Sequence, residues 1–477
     1  MTGGWICLIL IALCLYYLYR IVKTAFFSPL LKIPGLPYGP LYGNVKEAMQ
    51  GESMDSSVKW VRKYGGIVRF YNLFGREQIL LADPEAIRYV LVTHSSNYHR
   101  RTSTAVQRMV PEGLFSLEGS FHRSARKLLN PAFNIAAVKS FLPLFHKTAN
   151  KMADKMSSLI GSQDSSKLNM QKLIKSATMD VIGLAAFDHD LQALDDPSNE
   201  IVQSLSLMIA SQAMSLISSL PFYDLLPLKS NKKYKKAVDV VDELSFEIIK
   251  SRRRQLVNDS SVFSKLLSAR YEGKDEGLSD TALRDHIVSF MVAGYETSSS
   301  TLTWLMLELA RNPDMQEKLH AELSLITDYK TITGEDLESF RFLDSCIKET
   351  LRLYPAASAI LRNAVNDDII NGYEIPAGTE LVLHFGAMMR TQVENGEIFD
   401  PNRFLSPGGE SIRLLPFGIG PHACIGNKFA IMEMKLLTVY LVREFNFSTV
   451  PGLVIHRKRS IILKPSPDVE LYVTRRG

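Results

Sequence analysis

The segment that most restricts this chain is Phe417-Gly418-Ile419-Gly420-Pro421-His422-Ala423-Cys424-Ile425-Gly426, a glycine-punctuated loop that runs straight into the apolar helical pattern opening with Phe429-Ala430-Ile431-Met432. Multiplying the chain's own Phe, Gly and Cys frequencies, Phe-x-x-Gly-x-x-x-Cys-x-Gly arises by chance on the order of once per thousand such chains. Cys424 reads as a metal ligand. A thiolate needs its charge supported and its position fixed, and backbone N–H groups at a loop-to-helix entry do both. Gly420 and Gly426, lacking Cβ, are expected to take positive φ and to let the backbone lie against a flat macrocycle, with Phe417 shielding the sulfur from water. The plain alternative is a buried cysteine beside an ordinary turn.

With 477 residues, 22% of them charged, the chain can bury one large core or two smaller ones. Its formal net charge of +5 is modest for that length, favours an acidic partner weakly and gives no case for nucleic acid. Trp5 to Tyr19 is an uninterrupted apolar run, followed by Arg20, Ile21, Val22 and Lys23. With Ile21, Val22 and a snorkelling Arg20 it reaches the lower limit of about 17 residues for crossing hydrocarbon. No basic residue precedes the run, whereas Arg20, Lys23 and Lys32 follow it, so an uncleaved anchor with the bulk of the chain in the cytosol is expected over a cleaved signal peptide. Of the four cysteines, Cys7 and Cys14 lie in the run, Cys346 in a helical pattern and Cys424 in the loop. They suggest no disulfide framework, which fits a reducing compartment.

The expected organisation is an anchor over 1–22, a proline-rich hinge over 23–45 and a body over 46–477. In the hinge, Pro34, Pro37 and Pro40 stiffen the backbone and remove donors, so neither helix nor central strand is expected there. Ile67 to Tyr71 and Gln78 to Leu81 flank Gly75 like a hairpin, and Asp83-Pro84 opens a helix as cap and first-turn residue. From about 134 to 355 the period is mostly helical, with strand signals returning near Glu380 to His384 and Ile461 to Leu463. The architecture is predicted to be mainly α with a small β portion. The apolar, proline-broken Leu216 to Leu228, followed by Lys229, Lys232, Lys233, Lys235 and Lys236, reads equally as a bilayer-dipping segment or as a packed loop beside a solvated charge run.

Two further constellations carry chemistry. Ala293-Gly294-Tyr295-Glu296-Thr297 sits in a long apolar helical pattern, where Glu, Gly and Thr together are unexpected. Gly294 is expected to weaken the helix locally and admit a ligand near the backbone. The Thr297 hydroxyl is expected to bond a bound molecule, with Glu296 as proton source, although a Thr bonding back to the preceding turn is commoner. Glu349 and Arg352 lie at i and i+3 on one helical face before Pro355, and Phe399-Asp400-Pro401-Asn402-Arg403-Phe404 supplies a second arginine. Glu349, Arg352 and Arg403 are expected to form a buried network that locks the cysteine loop, against the default of a surface pair.

Taken together and in this order, the hinge prolines, the Ala293 to Thr297 helix, Glu349-x-x-Arg352, Pro401-Asn402-Arg403-Phe404 and the Cys424 loop resemble the cytochrome P-450 superfamily, the haem-thiolate monooxygenases, over essentially the whole chain after the anchor. The resemblance implies the triangular helical prism of that fold over 46–477, haem b with Cys424 as proximal ligand, and Ala293, Gly294, Glu296 and Thr297 on the distal side. It implies haem-propionate contacts at Arg126, Arg362 and His422, with His122 standing where the family most often has a tryptophan; Phe417, Gly420 and Gly426 complete the cofactor set. Thr391 to Ile398 lacks the aromatic and acidic pattern usual before the Arg403 segment.

The reaction so implied is insertion of one atom of O2 into a lipophilic small molecule, a steroid or terpenoid before a fatty acid. Met291, Ala356, Ala357, Ser358, Ala359 and Ile360 are implied to line the distal pocket. With no flavin domain in the sequence, electrons are expected from an NADPH-dependent flavoprotein reductase at the endoplasmic reticulum membrane, with cytochrome b5 admitted as a second donor and Arg123, Arg126, Lys127 and Lys428 as candidates to meet it. The competing classes are a reductase-independent haem-thiolate isomerase or dehydratase and a membrane-anchored haem or sterol binder.

Overall fold

The computed structural model describes residues 2–101, 104–211, 226–255, 278–460 and 462–476. Leu216 to Leu225 of the expected bilayer-dipping segment lies outside them; the lysines after it open the helix Lys229–Gln255. The body expected as one domain packs as two compact units. One comprises Met1–Arg101, Ser358–Glu397 and Gly418–Ala423; the other comprises Thr102–Ala357, Ile398–Phe417 and Cys424–Gly477.

The first unit is built on a five-stranded sheet in the order Ile67–Asn72, Arg76–Leu81, Glu380–Leu383, Ile360–Ala364, Tyr98–Arg100. The first two strands form the expected hairpin, in register from Ile67 opposite Leu81 to Asn72 opposite Arg76. Asp83 caps the helix Pro84–Arg88 as expected, its Oδ1 accepting from the Ala86 N–H at 2.7 Å. The proline segment is no loose tether: the Leu36 N–H donates to the Arg69 carbonyl and the Arg69 N–H to the Pro34 carbonyl, both at 2.9 Å, and Ile33 and Leu36 are buried. The prolines forbid a regular strand, but Leu36 still donates to the hairpin edge. Ahead of it stand the apolar helix Thr2–Val22 and a helical stretch, Leu8–Lys32, long and apolar enough to cross a membrane.

The second unit is helical around Asp280–Arg311, a 32-residue helix whose first turn is capped by the Ser279 side chain accepting from the Ala282 N–H. It packs against Met170–Phe187, and Asn427–Glu444 lies alongside as well. Among the described residues one strand interrupts the region expected to be helical: Ser165–Asn169 pairs with Glu470–Arg475, which also pairs with Phe445–Thr449. Its alternation is too polar and too short to register against the surrounding helical period. The strand expected at Ile461 to Leu463 falls slightly later, at Lys464–Ser466 opposite His456–Lys458, while the Leu463 N–H donates to the Ala356 carbonyl.

One core group stands out chemically. Glu433, on Asn427–Glu444, is 1% exposed and faces Ser298 of the long helix, yet neither carboxyl oxygen makes a hydrogen bond of ordinary geometry. Burial pushes its carboxyl up to about 8, with Ser298 opposing weakly, so at neutral pH it is an uncharged acid. The folded state therefore binds a proton that the unfolded chain has lost, and stability falls as pH rises from the ordinary carboxylate range to about 8. Glu433→Gln, which cannot ionise, is expected to flatten that fall. Urea midpoints at mildly acidic and mildly alkaline pH check it, and an unchanged pH dependence would contradict it.

Candidate functional site

The chain enters the helix Asn427–Glu444 through a tight loop. The Cys424 N–H donates to the Phe417 carbonyl at 2.8 Å in the second unit, and the Ala423 N–H to the Gly420 carbonyl at 3.0 Å in the first. Gly420 takes φ +79°, and a Cβ there would lie 2.0 Å from the Leu91 carbonyl oxygen, so a turn and a close backbone approach both require glycine. Gly426 does not take the expected positive φ. It sits at −85° as the helix N-cap, and positive φ belongs instead to Gly418, at +66°. Gly426 needs no left-handed backbone because it already begins the helix; the nearest atom to a Cβ built there is Cys424 Sγ, at 4.0 Å.

The Cys424 side chain is exposed to a space that protein encloses at longer range. Burial pushes the thiol up, opposed by the Gly426 backbone N–H and the charge of Arg126. Coordination to a metal cation overrides such a shift, because a ligating thiol is deprotonated outright. Arg126 is half-buried on Gly119–Leu129, one turn beyond buried His122 on the same helical face; burial lowers its pKa and Cys424 raises it. Among the described residues no group of three or more His, Cys, Asp and Glu could hold a metal ion. A metal on this lone sulfur must bring most of its other donors with it, as iron in a porphyrin does.

In the second unit the expected network is present, with Glu349 and Arg352 at its buried centre. Glu349 and Arg352 are completely buried on Arg341–Leu353 and meet in a fork, Nε to Oε2 at 2.7 Å and a terminal guanidinium nitrogen to Oε1 at 2.8 Å. Arg403 Nε reaches Glu349 Oε1 at 3.3 Å, the Asp400 N–H donates to the same oxygen at 3.0 Å, and Arg352 also donates to the Ile398 carbonyl. Two residues of one helix thus grip 398–403, the segment leading to Phe417.

The long helix divides its polar residues by direction. A Cβ at Gly294 would lie 2.6 Å from Ile182, and Thr178 Oγ1 donates to the Tyr295 carbonyl at 3.1 Å. Gly294 therefore serves a close helix crossing on its Cβ side, and the helix runs unbroken through it although the glycine is expected to weaken it. Thr297 is partly exposed, and its Oγ1 donates to the Ala293 carbonyl at 2.7 Å, the commoner alternative. Glu296, one residue away and about 100° round the helix, points elsewhere. It is 3% exposed and ion-paired to Lys175 at 3.3 Å and Lys464 at 2.5 Å in a small polar cavity lined also by Gln171, Ser299, Ser300 and Thr303. Burial raises its pKa, but the two lysines outweigh it and hold the carboxyl below its usual range. The expected proton source is thus an ion-paired carboxylate at neutral pH in this arrangement. Met291 is completely buried, which removes it from the expected pocket lining; Val292 and Ala293 are the partly exposed neighbours.

In the first unit, Arg362 is buried on Ile360–Ala364 and stands directly opposite Arg100 in the ladder. The Arg100 guanidinium donates to His422 Nδ1, which leaves the ring's N–H on Nε2. Sequence reasoning named Arg362 and His422 but missed Arg100; its signal, an arginine ending a short strand, is too common to single out.

Cys424 at a helix entry, with the buried Glu349 network before it in the same unit, is the arrangement expected of a haem-thiolate enzyme. The comparisons agree: the cytochrome P450 family model matches residues 33–472, and the chain belongs to that family. Cytochrome P450 monooxygenase 128 of Postia placenta is 28% identical over 96% of this chain and 93% of its own. Lithocholate 6-beta-hydroxylase of Mesocricetus auratus is 29% identical over 99% and 96%. The structure of retinoic acid-bound cyanobacterial CYP120A1 superposes with a TM-score of 0.79 over 93% of this chain and 99% of that one, at 24% identity, which shows the fold. The protein is a mainly helical cytochrome P450 monooxygenase that carries haem b and takes O2, electrons from a redox partner and a lipophilic substrate.

Removing one member of a buried ion pair strands the other, at roughly 3–5 kcal/mol. Arg352→Ala is therefore expected to cost more stability than Arg403→Ala, whose side chain is 16% exposed. Urea denaturation followed by circular dichroism and by haem absorbance checks the order; equal losses would contradict it.

Proposed function

We propose that Cys424 is the proximal haem ligand of a membrane-anchored hydroxylase acting on a compact hydrocarbon skeleton of steroid or terpenoid type. The observation that carries the reading is the Cys424 sulfur at a helix entry, near the Gly426 N–H and the Arg126 charge. Haem, when bound, supplies the activation of O2 and the oxidation of an unactivated C–H bond. Phe417, Gly420 and Gly426 shape the ligand loop. The haem carboxylates are assigned to Arg126, His122, Arg362 and His422, with Arg100 added.

Thr297 is the distal hydroxyl. Because its hydrogen is given to Ala293, Oγ1 offers lone pairs outward and orders a water or substrate O–H as an acceptor. Glu296, held as a carboxylate by Lys175 and Lys464, can pass on a proton only after leaving those lysines and taking one up itself. Ala356, Ala357, Ser358, Ala359 and Ile360 offer small or apolar surface, which suits a bulky hydrocarbon, and one relative is named for hydroxylating lithocholate. Arg123, Lys127 and Lys428 are exposed and fit an acidic face on an NADPH-dependent flavoprotein reductase or cytochrome b5. The exposed apolar Thr2–Val22 supports an anchor in the endoplasmic reticulum membrane.

Spin-shift titration of the haem protein against steroids, terpenoids and fatty acids tests the substrate class. Saturable shifts with the first two and none with fatty acids are expected, and the reverse would overturn it. With a responding substrate, reductase and NADPH, Thr297→Ala is expected to lower product formed per NADPH consumed by about tenfold or more while Thr297→Ser keeps most of it. Coupling unchanged in the alanine variant would remove Thr297 from the mechanism.

A further inference from the structure

Arginine, then arginine or lysine, then any residue, then serine or threonine is spelled twice in the chain, as Arg100-Arg101-Thr102-Ser103 and as Arg457-Lys458-Arg459-Ser460. Such a run sets two cations at fixed offsets before a hydroxyl. A kinase with an acidic cleft reads the cations while its catalytic groups meet the hydroxyl. A spelling this short decides nothing alone, so the placement of its cations must decide.

In the first run both arginines are committed to the fold. Arg100 ends the strand Tyr98–Arg100 and donates to His422, and Arg101 pairs with buried Glu380 at 2.5 Å. Thr102 and Ser103 lie outside the described residues. The second run is presented differently. Arg457 and Lys458 close the short strand His456–Lys458, and Ser460 follows two residues later, exposed, with Lys458 exposed and Arg457 and Arg459 half-buried. From Leu453 to Lys464 the sequence contains no Asp or Glu that would repel an acidic cleft.

The returning strand of this hairpin, Lys464–Ser466, reaches the chemistry. Leu463, three residues past Ser460, donates its N–H to the Ala356 carbonyl at 2.9 Å, and its carbonyl accepts from the Ser300 hydroxyl of the long helix. Lys464 pairs with Glu296. All of these residues belong to the second unit.

We infer that Ser460 is a phosphoacceptor for a serine/threonine kinase that reads basic residues, and that a phosphate there loosens the Leu463–Lys464 end of the hairpin and weakens ligand binding in the distal pocket. In the transfer the Ser460 Oγ bonds to the γ-phosphorus of magnesium-bound ATP and the bond from that phosphorus to the β,γ-bridging oxygen breaks. ADP leaves with that electron pair, and the hydroxyl proton passes to the kinase's carboxylate base. The product carries roughly −1.5 to −2 charge at neutral pH and three strong acceptor oxygens. Four residues from Lys464, it competes with Glu296 for that ammonium group. The inference goes beyond the proposed hydroxylase and rests on that reading only for Ala356 as part of the pocket.

The test incubates full-length haem protein, natural and Ser460→Ala, with the catalytic subunit of cyclic AMP-dependent protein kinase and γ-labelled ATP. An intact ferrous carbon monoxide spectrum checks the fold. The natural protein is expected to take up about one phosphate per chain, located on Ser460 by peptide mass, and Ser460→Ala almost none. Arg457→Ala is expected to slow labelling several-fold with the spectrum unchanged. No label on the folded protein, label on Ser103 instead, or equal labelling of Ser460→Ala would overturn the inference. Titration with ketoconazole, an azole that coordinates haem whatever the substrate, reads the second part. The phosphorylated protein is expected to bind it several-fold more weakly than kinase-treated Ser460→Ala, and equal affinities would overturn the link to the pocket.

Discussion

A single sulfur can serve as a metal ligand only where its charge is balanced and its place is fixed. At Cys424 burial still holds the thiol up, and two neighbouring groups act in favour of the charge. The Gly426 N–H and Arg126 oppose the burial that pushes the thiol up, and the turn from Phe417 to Cys424 sets where the sulfur stands. The turn in turn depends on what holds the segment before it. Glu349 accepts from Arg352, from Arg403 and from the Asp400 backbone, so one buried carboxylate fixes the approach to the loop. A pair this buried adds little net stability over an apolar substitute, but it specifies one arrangement, which a ligand loop needs more.

The long helix shows how adjacent letters serve separate tasks. Residues 294 to 297 fan out at about 100° per step. Gly294 meets Ile182, Tyr295 is completely buried, Glu296 binds two lysines, and Thr297 keeps partial exposure with its hydroxyl turned back on Ala293. An acid and an alcohol adjacent in sequence are therefore not adjacent in chemistry. Before Glu296 can pass a proton toward Thr297 it must leave its two lysines and become protonated.

Much of this was legible beforehand because it rests on local rules. The hairpin, the Asp83 cap, the end of Arg341–Leu353 before Pro355 and the Glu349 network all follow from turn chemistry, proline's missing donor or helical spacing. The misreadings share another cause, contacts distant in sequence. Gly294 reads as a weak point in the helix until Ile182 meets it across the crossing, and Glu296 reads as a free acid until Lys175 and Lys464 arrive from opposite ends of the unit's sequence. Arg100 gains meaning only across the ladder from Arg362. Met291 is implied as pocket lining by the family resemblance alone, and here it is completely buried.

The account stands or falls on the bond between Cys424 and haem iron. The most direct measurement is the Soret band of the reduced, carbon monoxide-bound protein, recorded for the natural chain and for Cys424→Ser matched in haem content. The account predicts the long-wavelength band of thiolate ligation in the natural protein and its loss in the serine variant. A natural protein with the shorter-wavelength band of histidine ligation, or a serine variant that keeps the long-wavelength band, would contradict it.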